Sequence, residues 1–393
     1  MRDRFNPFIG DLSPPNSPGI LPKNVKATHY EIELEPDLDN GTLRGFSTIH
    51  ISVLEPTTFI LLNCVEIEVL STVVIEASGN VINIPKVHYN EEKETMMVPL
   101  EEEIAAGEMV KLRQNYVGRI NDAKTMAGFN RSRYRNIDGK DKWMGSTQGQ
   151  PTGCRRIFPC TDEPAAKANF SFNVIVDSNL TCLGNMDIVA ENLIYPSGLV
   201  TSKKNVFFNK TPLMSSYLVA FVVGELNYIE STKYRVPVRV YAAPDQDINK
   251  AHRALEFGVR AMIHHEETFG SPYPLPKLDM IAVPGHGGAM ENWGCVIYDD
   301  KLLLRDDSNA SAQEVYTTAR VITHELAHQW FGNIVTTLWW DSTWLNEVKQ
   351  FSTMKVAEST ESSLTLVIPF ISVMLPSHGP SISQVLIGYT VLR

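Results

Sequence analysis

The feature that most constrains this chain is the run His324-Glu325-Leu326-Ala327-His328. On an α-helix, residues four apart lie about 40° from each other around the axis, so both imidazoles face one way and can grip one Zn²⁺ ion. Glu325 lies about 100° from His324, beside such an ion rather than on it, where it can handle a water molecule. Ala319, Val321, Ile322, Leu326 and Ala327 give the helix an apolar body able to hold a rigid site. A catalytic zinc takes three protein ligands and keeps one position open. Glu347 is the natural third ligand. It follows His328 by 19 residues, about 28 Å along a straight helix, so the first helix must stop and a second must return. Gly332-Asn333 supplies the stop, Ile334 to Trp340 the link and Thr343 to Glu347 the restart, with Trp339, Trp340 and Trp344 available to wedge the two helices together. Taken alone, Glu347 reads equally as a solvated helix carboxylate, and the histidine pair as two surface imidazoles.

A second constellation precedes the first: Gly285-His286-Gly287-Gly288-Ala289-Met290-Glu291-Asn292-Trp293-Gly294. Glycines beside a strand permit close approach of another backbone, and an extended ligand could add to this edge as an extra strand. Glu291 would offer a carboxylate at one end of the cleft. A free peptide α-amine, with a pKa of about 8, is largely cationic at neutral pH and would pair with it. The alternative is a glycine-rich turn carrying an exposed glutamate. The remaining histidines give less. His264-His265-Glu266-Glu267 are consecutive, spread around a helix axis and read as surface residues. His29, His50, His88, His252, His286 and His378 have no partner at ligand spacing and read as structural.

Charge and cysteine usage narrow the class. Lys plus Arg number 35 against 45 Asp plus Glu, a net charge of −10, which argues against nucleic-acid and anionic-membrane partners and favours cationic ligands. The five cysteines are odd in number and contain no C-x-x-C pair, so neither a disulfide framework nor a cysteine zinc site is expected. No run approaches the roughly 20 apolar residues of a membrane span, and residues 1–20 lack the apolar stretch of a signal peptide. A cytoplasmic protein is expected.

The 393 residues suggest two or three domains. Residues 1–20 are rich in proline and asparagine. From 21 to 224 short runs alternate polar and apolar, as in Tyr30-Glu31-Ile32-Glu33-Leu34 and Phe170 to Val176, which predicts an antiparallel β domain with one wet face. Residues 225–360 read as mixed α and β: helices over 248–269, 312–331 and 344–357, strands over 279–283 and 296–304. Residues 361–393 form an apolar, β-prone, nearly uncharged tail.

With both constellations in view, the chain resembles the zinc metallo-aminopeptidases of the gluzincin group, the family of aminopeptidase N and puromycin-sensitive aminopeptidase. The likeness includes Leu21-Pro22, His29-Tyr30, Met126-Ala127-Gly128-Phe129, Arg155-Arg156-Ile157-Phe158-Pro159-Cys160-Thr161-Asp162-Glu163-Pro164, Gln329-Trp330-Phe331-Gly332-Asn333 and Trp344-Leu345-Asn346-Glu347. It implies an α+β multidomain fold: an amino-terminal antiparallel β domain, then an incomplete thermolysin-like α/β catalytic domain. It implies that His324, His328 and Glu347 ligate one Zn²⁺ per chain and that Glu325 is the general base for the attacking water. Glu291 would bind the substrate amine, Gln150 would line the first subsite, and Gly288, Ala289, Met290 and Asn292 would complete the peptide-binding edge. The implied substrates are peptides with a free amino terminus. The likeness stops at Glu347: Val348-Lys349-Gln350 replaces the family's Gly-Phe-Ala, and Tyr389 does not stand in the context of the family's oxyanion tyrosine. The expectation is a chain truncated within the catalytic domain. It is either a zinc-dependent aminopeptidase or a catalytically impaired isoform acting as a peptide-binding or interaction module.

Overall fold

The computed structural model describes residues 19–122, 125–194, 202–306 and 308–347, and the backbone of three strands at Lys355–Glu358, Leu364–Val373 and Val385–Leu392. An eight-stranded sheet dominates the amino-terminal half. Its order is Ile188–Ile194, Lys203–Phe208, Asn169–Asp177, Val25–Asp37, Thr42–Val53, Met109–Arg119, Glu68–Ile75 and Val81–Ile84. Alternation decides its faces: Tyr30, Ile32 and Leu34 are buried while Glu31 points to solvent. The predicted purely antiparallel sheet is corrected in one pairing. Strand Val25–Asp37 runs parallel to Asn169–Asp177, with His29 opposite Asn169. The long chain between these two strands makes the crossover that parallel pairing requires. A five-stranded sheet carries Thr181–Gly184, Phe221–Gly224, Asp141–Gln148 and Gly128–Arg135 towards the second half.

The second half is built on a mixed sheet ordered Asn227–Ser231, Val238–Ala242, Leu278–Val283, Cys295–Asp299, Ala289–Met290. Its central pairings are parallel and its two outer ones antiparallel. Four helices accompany it: α1 (His252–Phe269), α2 (Asp300–Leu303), α3 (Ala312–Ala327) and α4 (Trp344–Glu347). The predicted β-then-mixed order is thus observed, with local corrections. The helix expected over 248–269 opens as a 3-10 turn, Ile248–Ala251, capped by Asp247. The strand expected over 296–304 ends at Asp299, whose side chain accepts from the Lys301 N–H and starts α2. α3 begins in a capping box, Ser311 with Glu314, and stops at Ala327 rather than 331. The helix expected over 344–357 is described only as α4, and Lys355–Glu358 is a strand; residues 348–354 lie outside the described residues, as does His378.

His264 and His265 are buried, not surface residues. His265 continues the apolar stripe of α1, its ring stacked on Phe269 and its Nε2 3.0 Å from the Thr323 carbonyl oxygen of α3. All five cysteines are unpaired and buried. Of the three tryptophans, Trp340 packs edge-on against Tyr217 at 5.1 Å, whereas Trp344 is exposed and wedges nothing.

One apolar core runs without a break from Tyr30 to Trp330, across both halves. Buried polar groups stitch the same boundary. Lys277 Nζ donates to the carbonyls of Gly184 and Gly294 and pairs with Asp279 at 2.8 Å. Asn185 donates to the carbonyls of Leu218 and Trp293 and accepts from the Ala220 N–H. Replacing Lys277 strands the buried Asp279 carboxylate, leaving only Arg239 at 3.6 Å. Lys277→Met is therefore expected to lower stability by about 3–5 kcal/mol, read from the urea midpoint at constant m-value.

Candidate metal centre

α3 presents both imidazoles on one face because residues 324 and 328 are one turn apart. After Ala327 the chain leaves the helix and reverses. Tyr217 donates to the Gly332 carbonyl at 2.9 Å, and Lys167 Nζ donates to the carbonyls of Asn333 and Ile334, each at 2.9 Å. Burial pulls the Lys167 ammonium down to about 8. These supports come from the amino-terminal half and aim the returning segment so that α4 brings Glu347 back to the histidines.

The three donor atoms converge. His324 Nε2 and His328 Nε2 are 3.1 Å apart, and Glu347 Oε2 is 3.7 Å from the first and 3.6 Å from the second. A tetrahedral zinc with arms of 2.0–2.1 Å needs ligand atoms about 3.3–3.4 Å apart, so the triangle fits one ion. The tautomer fits too. His328 Nδ1 lies 2.9 Å from the Phe331 carbonyl oxygen; an N–H donated there turns Nε2 towards His324 and Glu347, where a metal would take the place of its proton. The donor set asks for a cation: two imidazoles face the carboxylates of Glu291, Glu325 and Glu347. Burial and the charge of His328 push His324 down to about 3. Burial opposes protonation of His328, but Glu291, Glu347 and Glu325 together raise it to about 10. Burial lifts Glu325 to about 8, with Glu291 and Glu347 adding to the rise and His328 opposing it.

Glu325 Oε1 stands 3.7 Å from His324 Nε2, as near as Glu347, and one ligand atom from each of His324, Glu325 and His328 lies within 4.8 Å of the others. Glu291 is buried, and burial raises its carboxyl. The Gln150 amide, turned with its nitrogen to Glu291, donates to both carboxylate oxygens at 3.2 and 3.3 Å. Ala289–Met290 is the edge strand of the mixed sheet, paired on one side to Ile297 and Tyr298. A side chain at Gly288 would meet open space. Met290 is buried with its sulfur 3.4 Å from Gln148 Nε2. Asn292 is fully buried with both amide atoms unpartnered among the described residues. Of the ten residues named from sequence, His324, Glu325, His328 and Glu347 come together at the end of α3, Gln150 meets Glu291, and Gly288 to Asn292 form a wall beside α3 in which Met290 and Asn292 are buried.

Sequence reasoning missed what fastens the wall to the helix. Gln329, 0% exposed, donates to the carbonyls of Glu291 (3.1 Å) and Glu325 (3.3 Å) and accepts from the Gly294 N–H (3.2 Å). Asn333 adds a second bond to the Glu291 carbonyl at 3.0 Å. Gly294 has φ +75°, and a Cβ there would sit 2.5 Å from the Asn185 carbonyl oxygen, so both backbone and space require glycine. The available signal was the Gln329 position, four residues past Glu325 and hence on the same helix face.

The chain matches the Peptidase M1 N-terminal domain over residues 26–218 and the Peptidase family M1 domain over residues 253–375. The second match continues past Glu347, further than the motif resemblance reached. Relatives include aminopeptidase 2 of Candida albicans, 42% identical over 84% of this chain and 34% of its own length. They also include the alanine/arginine aminopeptidase of Saccharomyces cerevisiae, at 41% over 84% and 37%, and the puromycin-sensitive aminopeptidase of Caenorhabditis elegans, at 37% over 83% and 34%. The chain belongs to the peptidase M1 family. It spans about a third of the length of the curated relatives it matches. Among the described residues, no helix is long and apolar enough to cross a membrane.

Two outcomes follow from this geometry. Gln329→Leu strands the buried Gly294 N–H and halves the support of the Glu291 carbonyl; thermal melting should report a loss of about 1–3 kcal/mol. His286, buried at the start of the same loop with Nε2 unpartnered, is pushed down to about 4 by burial, against the pull of Asp299. The unfolded chain takes up that proton near 6.5 while the folded chain resists until about 4, so stability falls as pH drops through this window. In His286→Gln the acid-driven loss between pH 7 and 4.5 should shrink by about 2 kcal/mol, measured by denaturant titration at both pH values.

Proposed function

We propose that this chain carries the centre of a zinc-dependent aminopeptidase, with His324, His328 and Glu347 holding one Zn²⁺. The observation that carries this reading is the donor triangle of 3.1, 3.6 and 3.7 Å with Glu325 at its side and Glu291 closing one end of the cleft. When bound, zinc supplies Lewis-acid polarisation of the scissile carbonyl and acidifies water. The chain's own residues do the rest. Glu325 takes the proton of the attacking water and delivers it to the leaving amine; a carboxyl held high by burial is suited to keep that proton between the two steps. Glu291, oriented by Gln150, pairs with the cationic α-amine of the substrate. The open edge of Gly288, Ala289 and Met290 accepts the peptide as an added strand. The distance from amine anchor to metal then admits free chain starts and rejects internal segments.

A second reading draws on Ile334, Val335, Leu338, Trp344 and Leu345, all exposed around the returning segment. That apolar surface suits a peptide-binding or interaction module without turnover. Metal analysis and cleavage of aminoacyl anilides separate the two. The enzyme reading expects one zinc per chain, and a fall of about 10²–10⁴ in rate for Glu325→Gln with zinc retained. Glu291→Gln should erase the preference for a free over an acetylated amino terminus. Stoichiometric zinc with cleavage indifferent to Glu325→Gln sinks the enzyme reading and leaves the module.

A further inference from the structure

The histidines that looked unpartnered in the sequence are not isolated on the outer face of the eight-stranded sheet. His29 stands directly opposite His50 across the antiparallel pair Val25–Asp37 and Thr42–Val53. A register shift between Ala27 and His29 bulges the first strand just there, a device that re-aims side chains. The two rings lie 5.1 Å apart and 30° from parallel. Glu31, two residues on, shares their face. His50 Nε2 is 2.9 Å from Glu31 Oε1, and His29 Nε2 is 2.8 Å from the Ser171 hydroxyl of the neighbouring parallel strand. We propose that His29, His50 and Glu31 form a second site for a divalent transition-metal ion, clipping the central strands of this sheet together.

The geometry is close to that of a ligand set. One ligand atom from each of the three residues lies within 4.8 Å of the others. A tetrahedral ion with arms of 2.0–2.2 Å holds its ligand atoms about 3.3–3.6 Å apart, so the widest pair has to close by up to about 1.5 Å. Side-chain rotation on a solvent-facing strand supplies that. Ser171 loses one hydrogen bond and turns to water. Lys210 lies close enough to His29 for its charge to act on the ring.

The surroundings also set selectivity. Two imidazoles and one carboxylate suit zinc, copper and nickel and not the oxygen-seeking magnesium or calcium. Lys111 sits in register with His50 and Arg113 with Thr48 on the next strand, both exposed, and Arg113 leans over the Phe46 ring at 5.9 Å. With Lys210 they temper the affinity, which places this site below the His324 centre in strength. It is independent of the proposed function, since none of its residues touches the cleft.

Calorimetric titration of the full chain with Zn²⁺, paired with elemental analysis, tests the site. Two equivalents are expected, one tighter and one weaker. His50→Gln and His29→Gln should each weaken only the second by more than about tenfold, the least that losing even an outer-shell partner costs. Lys210→Gln should tighten it, an effect only a cation seated beside His29 produces. Circular dichroism establishes that each variant is folded; should either histidine variant unfold, Glu31→Gln gives the same readout. A single equivalent bound by the unaltered chain, or a second equivalent untouched by these substitutions, overturns the proposal.

Discussion

The cleft depends on the main-chain carbonyl of Glu291. It accepts from Gln329 and from Asn333, two amides that lie on the turn leaving α3. Because Gln329 also holds the Gly294 N–H and the Glu325 carbonyl, three backbone groups, two from the loop and one from α3, share one buried side chain. A neutral amide suits the role: it donates and accepts at once and brings no charge into a pocket already crowded with carboxylates. The spacing between the Glu291 backbone and the imidazoles is thereby set by hydrogen bonds to the main chain.

The electrostatics follow from the same crowding. Glu291, Glu325 and Glu347 lie close enough to perturb one another, and two of the three are buried. Desolvation and mutual repulsion drive Glu291 and Glu325 upward, whereas Glu347 is drawn below its ordinary value by the two imidazoles despite its own burial.

Much of this was legible in sequence. The helical spacing of His324 and His328, the return needed to bring in Glu347 and the alternation along Tyr30 to Leu34 are local patterns, and each is present. What the sequence hid was tertiary. The parallel pairing of Val25–Asp37 with Asn169–Asp177 carries no local signal. Nor does the meeting of His29 with His50, which needs the strand register to be known. Two misreadings were avoidable. His265 falls seven residues after Gly258 on the buried stripe of α1, and Asp299 before Asp300-Lys301-Leu302 is a helix-cap signature.

The polar stitches between the halves have an architectural consequence. Gly184 and Asn185 hold the backbone around Trp293 and Gly294, and Lys167 and Tyr217 hold the turn after His328, so the β layer serves as the foundation of the cleft rather than as an annex. A segment excised at residue 225 and produced by itself would keep His324, His328 and Glu347 and lose the masonry that aligns them. Genetic exchange between relatives should accordingly tolerate swapping both halves together far better than grafting either one alone.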